Sequence, residues 1–374
     1  MRAIVAVIGV LACVLVWAQP VHAPAKPWET WQPSVVVLPN PNGFDTYLKA
    51  FALKSQIDQR CLPPDGLTPM PTDRWGEGPP EIPLEQRVAL YAEVLDLARQ
   101  AMTQECRIPP PNDFGDDLLP FYDGFGALAR LFAMEAATYT QHNNWAGAGN
   151  SVLDCIQMAQ NVATRRTLLA FLVASKIEED GLSVLGDTAS QLDAAQCKAA
   201  LARLTNAEGR RLPIPEVIDG QERLARLGFV WWAKLPGFLG VFRTLPPPPY
   251  ETSLGVDAVN GTASWQGLTD YFAAIRRLAE QPYLAKTKPV LPRDPLVANV
   301  AGDMGPVFFR DARVRTVAHL QMVMLAVRAC TLEQGHTPAT LQELVPTYID
   351  RVPNDPFGTG PLKLRRNDQT YVIY

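Results

Sequence analysis

Apolar side chains recur at intervals of three and four residues along most of this chain, and this spacing limits what it can fold into. The clearest case is residues 84–102, where the apolar positions fall on one stripe of a helix. The stripe consists of Leu84, Val88, Tyr91, Leu95, Ala98 and Met102. Similar spacing marks residues 43–51, 125–141, 151–185, 213–227, 264–278 and 310–334. Because no fixed repeat period emerges, we predict a mainly α-helical fold, an irregular stack or bundle of helical hairpins.

The C-terminal segment, residues 310–374, contains the one β element that the sequence predicts. A helix from residue 310 ends at Gly335, a residue that favours the left-handed conformation of a C-cap. Thr337 and Pro338 have the N-cap and first-turn chemistry of a second, short helix. After a loop, two apolar segments flank a polar turn near Asn367, which is typical of a β-hairpin. We therefore predict a small C-terminal unit of helices and one hairpin.

The N-terminus has the layout of an export signal. Met1 and Arg2 give a positive start, and residues 3–18 form an uninterrupted apolar run. The run is somewhat shorter than the ~20 residues that a spanning helix needs. A cut after Ala18 or Ala23 would follow a small residue, whereas an uncut run would stay as a membrane anchor. The sequence predicts export, with the body periplasmic or anchored in the inner membrane outside the cytoplasm.

These features divide the chain into four predicted regions. Residues 1–23 are a signal peptide or membrane anchor, 24–41 a proline-rich tether, 42–309 a helical domain and 310–374 the C-terminal unit. Proline accounts for 34 of the 374 residues, and it clusters between the predicted elements. The prolines therefore separate helices and do not indicate a disordered chain.

Charge and cysteine content exclude some classes of function. The formal net charge is -4 and no run of Lys or Arg stands out, so the chain lacks the cationic surface that neutralises nucleic-acid phosphates. The 6 cysteines are widely spaced and form no CxxC pair, which gives neither zinc-ligand spacing nor a disulfide framework. Two interpretations of the thiols stay open: a Cys61–Cys106 disulfide, or buried single thiols that pack as small apolar side chains. We predict no nucleic-acid partner, no metal and no cofactor.

The sequence carries no catalytic signature. It lacks the GxSxG, HExxH, P-loop, GxGxxG and EF-hand motifs. Two carboxylate runs, Asp116-Asp117 and Glu178-Glu179-Asp180, are candidates for acid–base chemistry. Residues adjacent in sequence do not share a helix face, so we expect solvated surface or helix caps at both runs. We predict no catalytic residues.

Isolated polar residues also indicate structural roles. His142, His319 and His336 stand in turns or on a helix, where we expect exposed or hydrogen-bonded rings. In the Asn-Asp-Pro-Phe-Gly segment, the carboxylate of Asp355 is predicted to accept nearby backbone amides and to hold the loop before the hairpin.

A dense aromatic stretch, residues 229–242, is the strongest candidate binding surface. The residues that we predict for partner binding are Phe229, Trp231, Trp232, Phe238 and Phe242. Two alternatives stay open. The rings would fill the core between helix pairs, or they would lie at the membrane interface beside the anchor, where Trp and Phe are favoured.

One segment resembles a known family. After an apolar helix come Glu333, Gly335 and Pro338 of a Glu-x-Gly-x-x-Pro turn, Leu341, Leu344 and Val345 of a Leu-x-x-Leu-Val segment, and Val352, Pro353, Asp355, Pro356 and Phe357 before a hairpin. In order and spacing this resembles the C-terminal half of major type II secretion pseudopilins, over about 65 of 374 residues. The resemblance implies a pseudopilin-like fold for this unit and a link to secretion.

The resemblance has limits that bear on function. Pseudopilins carry a processed leader directly before this helix and an acidic, calcium-binding end after the hairpin, and neither is matched here. The resemblance therefore implies neither polymerisation nor calcium binding for this chain. The combination of signal, helical body and pseudopilin-like tail resembles exported proteins of planctomycete- and armatimonadete-type bacteria, for which no activity is assigned.

Together these observations predict a non-enzymatic, exported helical scaffold that works through contact with an unknown protein of the cell envelope. Contact with the membrane is expected through the N-terminal segment if it is uncleaved. The alternative function is an extracytoplasmic, glycan-active hydrolase. It would need a deep cleft with two carboxylates from different helices about 5–10 Å apart.

Overall fold

Helices dominate the part of the chain that the computed structural model describes, which is residues 26–61, 83–113, 121–234, 261–286, 292–367 and 370–374. The helices are α1 Pro27–Thr30, α2 Gly43–Cys61, α3 Leu84–Leu90, α4 Ala92–Met102, α5 Phe121–Gln141, α6 Trp145–Ala163, α7 Leu168–Ala189, α8 Ala194–Gly209, α9 Ile214–Lys234, α10 Gly261–Ala279, α11 Pro295–Ala301 and α12 Gly305–Gln334. The short 3-10 turns Tyr283–Ala285 and Leu341–Leu344 and the strands β1 Leu364–Asn367 and β2 Thr370–Ile373 complete the described elements. The mainly helical fold that the apolar spacing predicts is confirmed.

Polar side chains at the N-termini set where several helices begin. Asn144 accepts the amide of Gly147 at 2.9 Å and starts α6. Thr167 and Asp193 cap α7 and α8 in the same way. These bonds satisfy amides that no carbonyl inside the helix can reach. The helix starts are therefore determined locally.

The turn after α12 differs from the prediction. As expected, α12 ends at Gly335, whose φ of 76° is left-handed. Thr337 does not begin a helix, because the 3-10 turn that forms starts later. Thr340 is the N-cap of that turn and shares a capping box with Glu343. The carboxylate of Glu343 accepts the amides of Ala339 and Thr340, at 3.1 and 3.0 Å, and so satisfies two amides at once.

Three apolar cores hold the described helices together, and α7 contributes to each. The N-terminal core joins α2, α4, α5 and α6 to α7 through Ala174 and Ile177. The C-terminal core joins α6, α8 and α12 to α7 through Leu182 and Leu185. The aromatic core joins α9, α10 and α11 to α7 through Phe171. One helix thus couples the three parts of the fold.

The C-terminal unit shares its core with the helical domain. Residues 309 and 310, on either side of the predicted boundary, both lie within α12. The unit's buried apolar residues pack in the C-terminal core with α8 and α12; they are Leu341, Leu344, Ile349 and Leu362. Strands β1 and β2 pair antiparallel, with Leu364 opposite Ile373. The unit is therefore packed into this chain as well as covalently attached to it.

The N-terminal region is described only from Lys26 onward. The predicted leader, residues 1–23, and the first two residues of the tether lie outside the described residues. Within the described ranges, no helix combines the length and the apolar character that crossing a membrane requires. In the rest of the tether, Trp28 and Trp31 are half-buried against the aromatic core, whereas Val35 is 92% exposed.

Candidate functional site

A cluster of polar and ionic side chains is buried where α6, α7, α8 and α12 meet. We name it the Arg211 cluster, and its members are Gln160, Glu178, Glu208, Arg211 and His319. Arg211 donates through Nη1 to Oε2 of Glu178 at 3.0 Å and through Nε to Oε2 of Glu208 at 2.9 Å. Its Nη2 donates to both carboxylates as well. Two carboxylates from two helices therefore share one guanidinium.

Two neighbours extend the cluster to other elements. Nε2 of Gln160 donates to Oε2 of Glu178 at 3.0 Å. Nδ1 of His319 lies 2.7 Å from the carbonyl oxygen of Asn354, and because a carbonyl only accepts, we assign the proton to Nδ1. Nε2 of the same ring lies 3.7 Å from Oε1 of Glu208. The cluster thus connects α6, α7 and α8 to α12 and to the loop before the hairpin.

Burial and pairing move the pKa values of the two acids in opposite directions. Glu178 is 3% exposed, and burial raises the pKa of its carboxyl although Arg211 acts against this. Burial also acts to raise the pKa of Glu208, but Arg211, with Arg315 and His319, brings it below the usual 4.5. Burial acts to lower the pKa of Arg211, yet the two carboxylates raise it by more, so the guanidinium stays charged. Acids with diverging pKa values are typical of acid–base sites, so the surrounding space decides their role.

The cavity beside Glu178 is too small for a substrate. A cavity of about 10 Å³ lies next to Glu178 and is lined by Gln160, Ser175 and Arg211, among others. That volume holds at most about one water molecule. Between the two carboxylates, where a hydrolase would need the scissile bond, lies the side chain of Arg211. The arrangement can hold helices together, but it leaves no room for a glycan.

A second ionic cluster joins α4, α5, α6 and α8. Nε of Arg99 donates to Oδ2 of Asp154 at 2.7 Å, and its Nη2 donates to Glu135. Arg203 donates to the other oxygen of Asp154 at 2.5 Å, and the hydroxyl of Ser151 donates to Glu135 at 2.5 Å. Each carboxylate of this cluster is neutralised by arginine. It resembles the Arg211 cluster in linking helices and in offering no free acid or base.

The structure places Phe229, the first residue predicted for partner binding, in the aromatic core. Its side chain is 0% exposed. Its ring lies 5.4 Å from that of Trp28 and 5.2 Å from that of Trp265, measured between centroids. The first alternative for the aromatic stretch, core filling, therefore describes this residue.

The other predicted aromatic residues are placed differently. Trp231 is 41% exposed on the last turn of α9, and Trp232 beside it is half-buried. Their ring centroids are 5.0 Å apart. Phe238 and Phe242 lie outside the described residues. The predicted surface is thus divided between core and exterior.

A second aromatic surface was missed by the sequence reasoning. We name it the aromatic patch, and it consists of Tyr283, Leu284, Phe309 and Phe357. The ring of Phe357 lies 4.9 Å from that of Tyr283 and 5.9 Å from that of Phe309, between centroids. Leu284 is 70% and Phe309 49% exposed. Because its members come from three distant chain segments, no local sequence pattern indicates the patch.

A cavity of about 160 Å³ lies beside the aromatic patch. Its wall is about as polar as it is apolar: Ile214, Tyr283 and Phe308 line it together with Gln281 and Asp311. Lys286 also lines it, but the ammonium donates to the carbonyls of Leu278, Ala279 and Gln281 and so caps the end of α10. A cavity of this volume accommodates roughly one aromatic ring or one large aliphatic side chain.

The residue Asp355 positions Phe357 within the patch. Its Oδ1 accepts the amide of Phe357 at 2.9 Å, which is the loop-holding role predicted for this carboxylate. Its own amide donates to the carbonyl of Gly360 at 2.9 Å. The patch therefore depends on a turn that the sequence specifies locally.

The expectation for the second carboxylate run needs correction. We expected solvated surface or helix caps at Glu178-Glu179-Asp180, but this is wrong for Glu178, which is buried against Arg211. Oε2 of Glu179 accepts from Nη1 of Arg310 at 2.9 Å, so this residue too serves an interhelical contact. The first run, at residues 116 and 117, lies outside the described residues. The expectation failed because Glu178 and Glu179 pair with arginines that are distant in sequence.

The cysteines of the described ranges are structural. Cys106, Cys155, Cys197 and Cys330 are free and buried, so of the two open interpretations the Cys61–Cys106 disulfide is excluded and the buried single thiols apply to these four residues. Burial raises the pKa of Cys106 and of Cys155 to about 12. Thiols with such pKa values carry almost no thiolate near neutral pH and do not act as nucleophiles.

Neither metal-ligand geometry nor likeness to a known protein adds a function. Among the described residues, no group of three or more His, Cys, Asp or Glu side chains could hold a metal ion. No protein-family model, no curated protein and no solved structure matches the chain.

Proposed function

We propose that this protein is an exported, non-catalytic helical scaffold that binds a protein of the cell envelope through the aromatic patch. The proposal places the body outside the cytoplasm, with residues 1–23 retained as its membrane anchor. The aromatic patch carries the proposal. Contiguous exposed apolar surface costs free energy in water, and on soluble proteins it marks contact sites.

The composition of the patch supports a protein partner. Tyr and Phe are enriched in the buried centres of protein interfaces, where they provide large contact areas. The neighbouring cavity has the volume of one large side chain, so a partner could insert an anchor residue beside Tyr283. Both features lie on one surface, formed by the 3-10 turn, α12 and the loop before the hairpin.

The alternative, a glycan-active hydrolase, has less support. Glu178 and Glu208 do come from different helices, and their pKa values diverge as an acid–base pair would require. Arg211 lies between them, however, and the adjoining cavity holds about one water molecule. A cleft that could admit a sugar is not part of this arrangement.

A finer proposal concerns residues 310–374, which we propose to be derived from a pseudopilin-like module with a role in secretion. The order of helix, 3-10 turn, loop and two-stranded hairpin is compatible with that origin. Because α12 is buried in two cores of this chain, we propose that the module supports the aromatic patch and does not extend a filament.

Site-specific photo-cross-linking in the producing cells tests the scaffold function. A photoreactive amino acid at Phe309 of the full chain is expected to give one adduct of defined mass. Leu332 is the matched control, since it lies on the same helix with the same 49% exposure. The control lies about 35 Å away along the helix axis and is expected to give no adduct.

Two outcomes would contradict the proposal. If the purified chain hydrolysed esters, glycosides or peptides, and Glu178→Gln abolished this without unfolding it, the hydrolase alternative would replace the scaffold. If residues 1–41 fused to a reporter enzyme that works only outside the cytoplasm gave no activity, the proposed location would be wrong.

A further inference from the structure

Shortly after the proposed anchor, the chain packs onto the aromatic core, and we name this contact of residues 27–31 the clamp. The ring of Trp28 in α1 packs on Phe229, and Trp31 lies 6.0 Å from Trp265 between ring centroids. Trp28 also lies directly against the backbone of Gly261, where an added Cβ would be 2.6 Å from its Cη2 atom. Residues 27–31 are therefore held by packing against α9 and α10, although α1 is only one turn long.

The distance between anchor and clamp is short. The apolar run ends at Ala18 and α1 begins at Pro27, which leaves residues 19–26 between them. Eight residues span at most about 28 Å when fully extended. If the leader is retained, the end of the fold that carries α1 must therefore stay within that distance of the bilayer.

Exposed tryptophan lies at the same end of the fold. Trp231 is 41% exposed and follows Phe229, the residue that Trp28 covers, by half a turn of α9. The two faces of one helix are about 10 Å apart, which is well within the reach of the tether. Lys234 is exposed on the same turn. Tryptophan with a flanking lysine is typical of protein segments that lie at the headgroup level of a membrane.

We propose that the α1 end of the aromatic core rests on the membrane surface, with Trp231 in the bilayer interface. The inference rests on the proposed function only in requiring a retained leader. The occupant of this surface is the lipid bilayer itself. Apolar contact drives the association, because the chain carries a net charge of -4 and Lys26 is paired with Glu29 at 3.8 Å. The contact therefore does not require anionic lipids.

The aromatic patch is separate from the surface around Trp231. Trp231 and the patch are built from different elements, the last turn of α9 against the 3-10 turn, α12 and the loop before the hairpin. One apolar surface would face lipid, and the other would be left for the protein partner.

Quenching of tryptophan fluorescence by brominated lipid tests the proposal. The full chain is reconstituted in phosphatidylcholine vesicles with or without bromine on the acyl chains, and Trp231→Phe is compared with the wild type. We expect the variant to lose part of the quenching and not all of it, since Trp28, Trp31 and Trp232 pack on the same core and Trp17 belongs to the proposed anchor. Trp145→Phe, a partly buried tryptophan of the C-terminal core, is the matched control and should change nothing.

A second variant tests the clamp. Gly261→Ala adds a methyl group against Trp28 and should displace α1, which lengthens the tether and reduces the quenching of Trp231. Equal quenching in wild type and Trp231→Phe, in vesicle-bound chain, would overturn this inference and leave the scaffold proposal intact. If protein isolated from cells began after residue 18 or 23, the retained anchor and this inference would both be overturned.

Discussion

The Arg211 cluster and the aromatic patch reverse the usual distribution of polar and apolar side chains. In the cluster, Glu178 and Arg211 are almost fully buried, and each charged group has a partner from another element. In the patch, Leu284 and Phe309 are exposed to water. Charged residues are rarely buried, and exposed apolar residues rarely gather in one place. Both distributions of side chains are therefore unusual, and their physical causes differ.

The difference between the Arg211 cluster and the aromatic patch bears on which of them is the better candidate for binding. The buried charged groups pair with one another, and these ion pairs hold helices together. Leu284 and Phe309 keep much of their apolar surface in water although the rings of the patch pack on one another, so a partner would have apolar surface left to bury.

Removal of the shared guanidinium should have the largest effect on stability. Arg211→Met leaves Glu178 buried without its cationic partner, and we expect the free energy of unfolding to fall by about 3–5 kcal/mol. Denaturant unfolding followed by circular dichroism measures this. Arg210→Met is the control, because Arg210 is exposed, and it should change the free energy by less than about 0.5 kcal/mol. Equal effects of the two substitutions would show that the cluster does not hold the helices.

The loss of one carboxylate should give a smaller effect that depends on pH. In the Glu208→Gln variant, Arg211 still pairs with Glu178. We therefore expect the free energy of unfolding to decrease by about 1–3 kcal/mol near neutral pH. The folded state lowers the pKa of Glu208 from 4.5. Its stabilising contribution is therefore present above pH 4.5 and is lost as the pH falls through the folded-state pKa. The wild type should lose more stability on acidification than the variant, and the gap between their unfolding curves should close. A gap that is constant with pH would contradict the assigned pairing.

Some of this fold could be predicted from the sequence because the relevant signals are local. The apolar spacing over residues 84–102 specifies helix, although the structure divides the predicted single helix at Tyr91 into α3 and α4. Asp355 holds its turn through the amide only two residues away. The prediction of a cap at Thr337 was wrong because Thr340 and Glu343 compete with it and make two bonds. A local capping signal therefore sets the start of a helical turn only where no nearby residue makes better capping bonds.

The candidate sites could not be predicted because their contacts join distant segments. Glu178 meets Arg211 only after α7 and α8 have packed, so its neighbour Glu179 gives no hint of burial. Phe229 belongs to the core because Trp28, from the predicted tether, covers it. A pattern of charges or rings along the chain does not show which of them will be brought together by tertiary packing.

Loss of the hydrogen bond in the turn that positions the patch should have a moderate effect on stability. Asp355→Ala removes the bond from its carboxylate to the amide of Phe357, and we expect the free energy of unfolding to fall by about 0.5–1.5 kcal/mol. Asp350→Ala, at an exposed aspartate nearby, is the control and should be close to neutral. If Asp355 only stabilised the fold, cross-linking from Phe309 would persist in the variant. If it also positions Phe357 for the partner, the adduct should weaken at a temperature where the variant is fully folded.

Removal of an exposed ring of the patch should affect stability least and partner binding most. Phe309→Gln replaces a ring that is 49% exposed, so we expect a change in the free energy of unfolding of less than about 0.5 kcal/mol. Cross-linking from Leu284 to the partner should nevertheless be lost, because a polar side chain would interrupt the apolar contact. Leu332→Gln is matched in exposure and helix, and it should change neither measurement. If Phe309→Gln destabilised the fold as strongly as Arg211→Met, the ring would belong to the core, and the contrast between a buried ionic cluster and a binding surface would fail. If it changed neither stability nor cross-linking, the patch would not be the binding surface, and the exposed rings would need another explanation.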